Sequence, residues 1–305
     1  MKRILITVIT ILLSVSISYA QSTVVDSLKK LIEEEIVVEN KVALLNDLAS
    51  EFHSTNYNYA LIYAKEALEL SKQIKNKSHN GNALISQSAN NVGAAYLLQD
   101  DYENALKYLL LALKKGEEIK DTHRISNAAY NLSVVYDLKG NDMLAIKYLE
   151  RSIKLDEESG NVESAAYGYC SLSADYFFKK NYNKGMVYYR KAMAIANEIN
   201  DDEIKAILFE NRAVGLKYEG RFIEALKYHE KAIAIDLKNN RLASLETNYL
   251  NIADLYFEMN NYTEAINFNN KSLKIAIEEK SINTIMKAYS GLAECYSQIG
   301  NKDRA

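Results

Sequence analysis

Small side chains recur along this chain at a spacing of forty residues, and this spacing restricts the fold more than any other feature of the sequence. The first column of small residues is Gly93, Ser133, Ser173, Ala213, Ala253 and Ala293. A large side chain follows each by three residues, at Tyr96, Tyr136, Tyr176, Leu216, Tyr256 and Tyr296. A second small column is Ala105, Ala145, Gly185, Ala225, Ala265 and Ala305. A fixed period of this length predicts a stack of repeated structural units.

Each unit is predicted to be a helix, a tight turn and a second helix. Turn residues such as Lys139-Gly140-Asn141 lie between the two small columns, and apolar residues such as Ala105, Leu109 and Leu113 then recur at helical spacing. Small side chains that face each other allow two antiparallel helices to pack closely. Because one helix pair cannot bury its apolar faces alone, the predicted fold is an all-α solenoid in which each unit contacts the next.

Composition supports a helical chain and restricts its partners. The sequence contains no Pro and only 11 Gly, which disfavours β folds with many tight turns. Of the 37 basic side chains, Lys2 and Arg3 lie in the first twenty residues, which contain no acid, so the remaining chain is weakly acidic. A weakly acidic surface lacks the positive charge that binding to nucleic-acid phosphates requires, and nucleic acid is therefore not an expected partner.

Two segments closely resemble the tetratricopeptide repeat family. Asn91–Tyr96 followed by Asp101–Leu106 is similar to that family's helix-turn-helix consensus, and so is Asn251–Tyr256 followed by Tyr262–Ile266. The resemblance covers about Lys41–Ala305, as about six repeats and an incomplete seventh. It implies a right-handed α-solenoid of stacked antiparallel helix pairs.

The sequence departs from the standard unit of this family in three ways. Its period is forty rather than about 34 residues, no repeat contains the usual Trp, and the Pro that often closes the second helix is absent. We expect the six extra residues to lengthen the second helix and its loop, as in the segment 191–202.

Residues 1–20 have the three-part pattern of a secretory signal peptide. A basic start at Lys2 and Arg3 precedes an apolar stretch over Ile4–Ile17, and Ser18-Tyr19-Ala20 provides the small residues of a cleavage site. We predict cleavage after Ala20 and export to the periplasm or cell envelope of a bacterium. An uncleaved segment that anchors the chain in the membrane is the alternative.

The two ends of the repeat array carry further expectations. Residues 21–40 are predicted to form a capping helix, because Val24–Ile36 is amphipathic, with Val25, Leu28, Leu31 and Ile32 on its apolar face. At the other end, the sequence stops at the first buried position of a second helix. We expect the sequence to belong to a longer protein, with a natural terminus as the alternative. Membrane contact is expected only through an uncleaved signal segment or a missing C-terminal part.

No motif for catalysis, metal binding or cofactor binding occurs in the sequence. The histidines lie in different repeats or loops without ligand spacing, at His53, His79, His123 and His229. Cys170 and Cys295 are 125 residues apart and are interpreted as buried free thiols. No cofactor or metal is expected, and the chain is not predicted to be an enzyme.

The resemblance implies that the first helix of each pair lines a concave groove. Asn recurs on that helix at Asn91, Asn131, Asn211 and Asn251. An amide side chain offers two donors and one acceptor, so a ladder of such groups could bind the backbone of an extended peptide. In the alternative interpretation, these Asn side chains bond across adjacent helices and hold the stack in register.

Aromatic side chains near the ladder are candidates to receive apolar side chains of a ligand. The candidate aromatic residues are Tyr130, Tyr167, Phe177, Phe178, Tyr218 and Phe257. The alternative is that they are partly core. The family's carboxylate clamp pairs Asn with Lys and Arg, but uncharged residues occupy those places here, at Gln87, Asn127, Tyr130 and Tyr167. Recognition of a free peptide C-terminus is therefore not predicted.

Arg212 occupies a position that is apolar in the other units, as at Val92 and Leu132. A buried charge without a partner is costly, so we expect Arg212 to reach solvent or to pair with an acid such as Glu210. Otherwise it would contribute one positive charge to the groove.

Two functions are compatible with these patterns. The first is a non-catalytic scaffold that binds a protein or peptide segment in the concave groove of the array. The second is the extracytoplasmic sensory domain of a larger signalling protein, such as a histidine kinase or a transcriptional regulator with this type of input. The coding sequence downstream distinguishes them.

Overall fold

The computed structural model describes residues 24–53, 56–74 and 79–300. Over these ranges every regular element is an α-helix, and no strand occurs. The all-α expectation is confirmed. The predicted signal peptide, residues 1–20, lies outside the described residues.

Contacts divide the chain into two compact units, residues 1–160 and 161–305. Unit 1 contains α1 (24–34), α2 (Val38–His53), α3 (Tyr57–Gln73), α4 (His79–Leu97), α5 (Tyr102–Ile119), α6 (Thr122–Leu138) and α7 (Asp142–Ser159). Unit 2 contains α8 (Val162–Phe178), α9 (Tyr182–Glu198), α10 (Asp202–Tyr218), α11 (Phe222–Lys238), α12 (Leu242–Glu258), α13 (Tyr262–Glu279) and α14 (Ile282–Gln298).

Each unit is a stack of helix pairs. In unit 1, α2 packs on α3, α4 on α5 and α6 on α7, and the second helix of a pair also packs on the first helix of the next. In unit 2, α8 packs on α9, α10 on α11 and α12 on α13, and α14 packs on α13. This alternation is the predicted arrangement, in which the apolar faces of each pair are covered by its neighbour.

Polar caps and left-handed residues set the helix ends. The side chains of Asp101, Asp121, Asn141 and Asp201 each accept a hydrogen bond from the backbone N–H three residues later. One residue with positive φ also occurs every twenty residues, at Asp100, Lys120, Gly140, Gly160, Lys180, Asn200, Gly220, Asn240, Asn260, Lys280 and Gly300. A left-handed residue ends a helix and turns the chain.

This twenty-residue spacing corrects the expected position of the extra residues. First and second helices have nearly equal lengths, as shown by α6 with 17 residues and α7 with 18. The loop between α7 and α8 contains only Gly160 and Asn161. The prediction of a longer second helix and a longer loop is therefore wrong. Each repeat consists of two similar halves, because a left-handed residue ends the first and the second helix at the same interval.

The two small columns form the close contacts within each pair. A Cβ added at Gly93 would lie 2.6 Å from Leu109 Cγ, so only Gly fits there without movement of the leucine. Ala105, Ala225 and Ala265 are fully buried. The predicted role of the small residues is confirmed.

The large residues of the repeat stack on an aromatic residue of the second helix. The ring centroids are 5.7 Å apart for Tyr96 and Tyr108, and 5.5 Å apart for Tyr136 and Tyr148. Tyr176–Tyr188 and Tyr256–Phe268 repeat this contact, each at 5.5 Å. Such offset aromatic pairs add to the stability gained from area burial alone.

The N-terminal helix α1 is separated from α2 by residues 35–37. Ile32 packs against the buried cluster that contains Val42 and Leu45, whereas Leu31 is half exposed. The prediction that Leu31 belongs to the packed apolar face of α1 is therefore wrong.

Candidate functional site

A polar cleft of about 240 Å³ lies in unit 1, on the side of α4 and α6. Its lining residues are all polar or charged: Ser50, Ser86, Gln87, Asn90, Asn91, His123, Arg124 and Asn127. Most binding pockets are lined mainly by apolar side chains, so this composition is distinctive. It favours a ligand that is itself rich in hydrogen-bonding groups.

Three amide side chains at this cleft retain free hydrogen-bonding capacity. Gln87 and Asn127 are half-buried, and neither side chain bonds to any of the described residues. Asn90 Oδ1 accepts a hydrogen bond from Asn131 Nδ2 at 3.0 Å, which leaves the NH₂ group of Asn90 available. Gln87 and Asn127 are forty residues apart, so the same repeat position supplies an amide on both α4 and α6.

The charge in the cleft is balanced locally. Arg124 Nη1 lies 2.5 Å from Asp121 Oδ2, and its Nε donates to the carbonyl of Ala83 at 3.0 Å. The guanidinium is thus held by its own neighbours. The cleft therefore presents mainly amide and hydroxyl groups.

The predicted asparagine ladder points mainly between helices. Asn91 is buried and donates to Oδ1 of Asn46 on α2 at 3.1 Å. Asn131 on α6 donates to Asn90 on α4, and Asn211 on α10 donates to the carbonyl of Cys170 on α8 at 3.0 Å. The alternative interpretation, bonding across adjacent helices, therefore holds for these three residues.

Asn251 differs from the other members of the ladder. It is half-buried, and its side chain bonds to none of the residues that the structure describes. The position of Asn90 at the cleft was not predicted from the sequence, and Gln87 and Asn127 were interpreted only as uncharged residues at the places of the clamp's Lys and Arg. The forty-residue recurrence of amides at 87 and 127 was the available signal.

Phe177 does not belong to a groove. Its side chain is fully buried, because two glycines make room for the ring. A Cβ at Gly185 would lie 2.5 Å from Phe177 Cδ1, and one at Gly215 would lie 2.8 Å from its Cγ. Gly185 is the single Gly in a column that is otherwise Ala, and this exception in the sequence marks the large core residue.

The next residue, Phe178, forms an exposed aromatic pair with Tyr218 in unit 2. Their ring centroids are 5.7 Å apart with edge-to-face geometry, and the two residues are 65% and 38% exposed. Phe257 is half-buried and packs edge-to-face on Tyr262 at 5.4 Å. Phe178 and Tyr218 are therefore the predicted aromatic residues best placed to contact a ligand.

Tyr130 and Tyr167 are both half-buried on their first helices. Burial raises the pKa of Tyr167 to about 12, and the acids Glu203 and Asp201 add to this effect. Tyr167 is therefore a neutral hydroxyl beside an acidic surface.

A buried polar cluster links α10, α11 and α12 in unit 2. Asn248 Nδ2 donates to Glu210 Oε1 at 2.8 Å and to Asp236 Oδ2 at 3.0 Å. Asn248 Oδ1 lies 2.8 Å from Nδ1 of His229, which must carry the proton because the amide oxygen only accepts. Arg241 Nη1 lies 3.5 Å from Asp236 Oδ1. One amide thus connects two carboxyl groups and an imidazole.

Burial shifts the pKa values of this cluster in opposite directions. It raises the pKa of Glu210 to about 7, and the nearby Asp236 carboxylate adds to the increase. It lowers the pKa of His229 to about 4 and raises the pKa of Asp236. In each case the low-dielectric surroundings disfavour the charged form.

Arg212 pairs with a different acid from the one expected. Its Nη1 donates to Glu219 Oε1 at 2.8 Å, and its guanidinium lies 5.6 Å from the centre of the Phe177 ring. Glu210 bonds to Asn248 instead. Arg212 is therefore neutralised within its own helix pair and adds no free positive charge to the surface.

A second depression, of about 390 Å³, lies in unit 2 and is lined by residues of α11, α12 and α13. Its lining is mainly apolar and includes Leu226, Ile233, Ile252 and Phe268, with Lys271 stacked on the Phe268 ring at 4.1 Å.

Among the residues that the structure describes, no group of three His, Cys, Asp or Glu side chains is arranged to hold a metal. No helix within the same ranges is long and apolar enough to cross a membrane.

Comparisons with known proteins agree with this architecture. Tetratricopeptide repeat models match residues 84–158 and residues 247–276. A Rap protein complexed with competence and sporulation factor is 19% identical, with a TM-score of 0.69, and the match covers 87% of this chain and 74% of that chain. The apo quorum sensor NprR from B. thuringiensis is 16% identical, with a TM-score of 0.64 and coverages of 89% and 74%.

Aspartyl phosphate phosphatase F from Bacillus subtilis is 20% identical, with a TM-score of 0.64. That match covers 81% of this chain but only 62% of the phosphatase chain. No curated protein sequence matches the chain. At these identities the structural matches establish the fold, and they confirm the predicted all-α solenoid class. Residues 84–158 and 247–276 are thus tetratricopeptide repeats, and the helix pairs and forty-residue columns of the described chain follow the same pattern.

Proposed function

We propose that this chain is a protein-interaction scaffold without catalytic activity, and that the polar cleft of unit 1 binds an extended peptide segment. The observation that carries the proposal is the set of free amide groups on Gln87, Asn90 and Asn127. Side-chain amides are the natural partners of peptide groups, because each offers both donors and an acceptor.

The neutral lining favours backbone recognition over recognition of a charged side chain. Arg124 is already paired with Asp121. A ligand held by amides would bind through its repeating N–H and C=O groups, so its side chains would be only weakly specified there. This chemistry fits an internal peptide segment better than a free C-terminal carboxylate.

The matched structures support a peptide ligand. The Rap protein was crystallised in complex with competence and sporulation factor, and NprR is a quorum sensor. Both share the fold over most of this chain at low sequence identity. They therefore support the class of function, while the identity of the ligand depends on side chains particular to this protein.

A displayed library of random linear peptides provides a direct test. Peptides enriched on the full chain would be labelled, and their affinity measured by fluorescence anisotropy for the wild type and for the double variant Gln87→Ala/Asn127→Ala. We expect about thirtyfold weaker binding from the loss of two hydrogen bonds of about 1 kcal/mol each.

The matched control is Asn270→Ala, which removes an exposed amide from unit 2 that bonds only to its own helix. It should bind as the wild type does. Failure to enrich any peptide, or equal affinity of the double variant and the wild type, would contradict the proposal.

In unit 2, we propose that the exposed pair of Phe178 and Tyr218 receives an apolar side chain of the bound protein. Its exposed edge-to-face geometry supports this role. Phe178→Ala should weaken the binding of the enriched peptides or of their parent protein while the melting temperature stays within about 2 °C. Unchanged binding would remove these aromatic residues from the ligand-binding surface.

We further propose that the protein acts outside the cytoplasm, on the basis of the signal-like pattern of residues 1–20. Terminal sequencing of the protein from fractionated cells should find Gln21 at the N-terminus in the envelope fraction. An intact Met1 on protein from the cytosol would contradict export.

A sensory role within a larger signalling protein is the second candidate. It is supported by the match to the quorum sensor NprR, of which this chain spans 74%. The downstream coding sequence separates the two candidates. An apolar segment of about 20 residues followed by a kinase or DNA-binding domain favours the sensor, and a stop codon after one polar helix favours the scaffold.

A further inference from the structure

Within unit 2, the first helices α10 and α12 barely approach each other. In the other consecutive pairs within each unit, α2–α4, α4–α6, α8–α10 and α12–α14, the backbones pack directly. The space between α10 and α12 is instead spanned by polar side chains. Asn248 on α12 reaches Glu210 on α10 at 2.8 Å, and Arg241 reaches Glu203 at 3.2 Å.

The charges at this junction are not balanced. Glu210 and Asp236 accept hydrogen bonds from the same Asn248 nitrogen, so both hydrogens of that amide are used. Arg241 is the cation next to them, and it also contacts the exposed Glu203. With both carboxyl groups ionised, the junction carries excess negative charge, and burial makes that charge costly.

Other groups that pack against α10 do not compensate for this charge in the neutral pH range. From α11, His229 is neutral because burial lowers its pKa to about 4. From α8 and α9, Tyr167, Cys170 and Tyr189 are neutral because burial raises the pKa of each to about 12. Lys217, on α10 itself, is directed to the exposed Asp254 at 3.3 Å.

We propose that the α10–α12 junction is a proton-controlled hinge: it is closed when Glu210 is protonated, and it opens to hydrate the carboxylate when Glu210 is ionised. Protonation removes the excess negative charge while the Asn248 hydrogen bond to Glu210 can persist. Opening lets water solvate the carboxylate and separates α12 from α10. This hinge does not depend on peptide binding in unit 1.

The position of the titration supports this mechanism, because burial raises the pKa of Glu210 to about 7 in the closed junction. In an open, hydrated junction the pKa returns towards its ordinary value of 4.5. Closure is therefore favoured fully below pH 4.5, and the preference is lost as the pH rises to 7.

Hydrogen exchange of the full chain, followed by mass spectrometry, tests the hinge. The opening constant of α12 amides would be compared between the wild type and Glu210→Gln at pH 5 and pH 8. Gln keeps an acceptor for Asn248 but carries no charge. We expect the ratio of the wild-type constant to the variant constant to rise roughly fiftyfold between the two pH values. The titration of His229 cancels in this ratio.

Two controls make the result specific. Glu258→Gln removes an exposed acid from the same helix and should follow the wild type within about twofold. Amides of α4, in unit 1, should show no pH-dependent difference between the wild type and Glu210→Gln. A constant α12 ratio, or an equal change in α4, would overturn the hinge.

A second measurement covers the case in which Glu210→Gln does not fold. The side-chain carboxyl carbon of Glu210 in the wild type can be followed by NMR through a pH titration. Because ionisation opens the junction, the expected midpoint lies above 4.5 and at most near 7, and a midpoint at 4.5 would overturn the proposal.

Discussion

The same hydrogen-bonded bridge between first helices occurs in both units, with different chemistry. In unit 1, Asn46 Nδ2 on α2 donates to Ser88 Oγ on α4 at 2.9 Å. In unit 2, Asn248 Nδ2 on α12 donates to Glu210 Oε1 on α10 at 2.8 Å. Asn46 and Glu210 lie three residues before the small residue of their helix, and Ser88 and Asn248 lie five residues before theirs.

The two bridges differ in the chemistry of their acceptor. In unit 1 a neutral hydroxyl accepts the hydrogen bond. In unit 2 a carboxyl group accepts it, and burial makes the charged form of that group costly. The backbones of α10 and α12 also approach each other less closely than those of α2 and α4. The neutral bridge is insensitive to pH, whereas the carboxyl bridge is not.

The largest expected effect comes from breaking the charged bridge. Asn248→Ala removes the donor to Glu210 and Asp236 and the acceptor for His229, although Ala occurs at the equivalent positions 128 and 288. We expect a loss of about 4 kcal/mol in the free energy of unfolding at pH 5, where the junction is closed, because two carboxyl groups and His229 lose a partner. Urea denaturation measures this loss, and a loss below about 1 kcal/mol would contradict the network.

Introducing a carboxyl group at the bridge of unit 1 should make the free energy of unfolding depend on pH through that unit as well. Asn46→Asp is nearly isosteric and places a carboxyl group at a fully buried position. We expect a loss of about 3 kcal/mol at pH 8, recovered as the carboxyl group protonates towards pH 4. The measurement is unfolding by urea across this range. A loss that does not depend on pH would show that the charge is not its cause.

In the wild type, two opposite titrations should nearly cancel. His229 contributes stability that is present above pH 6.5 and is lost as the pH falls through about 4. Glu210 contributes stability that is present below pH 4.5 and is lost as the pH rises to about 7. Between pH 7.5 and pH 5, each contribution changes by about 2 kcal/mol, with opposite sign.

Single variants separate these titrations. Glu210→Gln should lose about 2 kcal/mol between pH 7.5 and pH 5, because only His229 remains. His229→Asn should gain about 2 kcal/mol over the same range, because only Glu210 remains. Asn already occurs at the equivalent position 269. Plots of the free energy of unfolding against pH that run parallel to the wild-type plot would contradict the assigned titrations of Glu210 and His229.

The smallest effect is expected from the neutral bridge. Ser88→Ala removes the hydroxyl that accepts from Asn46, while the Asn91 contact to Asn46 remains. We expect a loss of about 1 kcal/mol at every pH between 5 and 8. A loss that changes with pH would show that unit 1 contains a titrating group at this junction.

The sequence was informative about the fold because the forty-residue columns report packing directly. Gly93 and Ala105 mark where two helices approach, and this proximity follows from side-chain size alone. The sequence was less informative about the site. Asn91 was chosen for the ladder, but its amide bonds to Asn46, and the amides with free capacity at the cleft belong to its neighbours Asn90 and Gln87. One residue along a helix rotates the side chain by about 100°, so small errors in face assignment exchange core and surface.

The burial of Phe177 is a second example of this limit. Phe177 and Phe178 are adjacent and chemically identical, yet the first is in the core and the second is exposed. Only the approach of Gly185 and Gly215 from other helices determines which ring is covered.

By itself, the sequence determined the helix pairs, their period and their resemblance to tetratricopeptide repeats, because local spacing and side-chain size control how neighbouring helices pack. The tertiary structure decided which amides face the cleft, which acid Arg212 pairs with, and how Asn248 connects Glu210, His229 and Asp236. These outcomes depend on how closely helices from different parts of the sequence approach each other, and on how far those helices bury the side chains between them. Burial is also what shifts the pKa values of Glu210 and His229, so the pH response follows from tertiary packing and not from residue type.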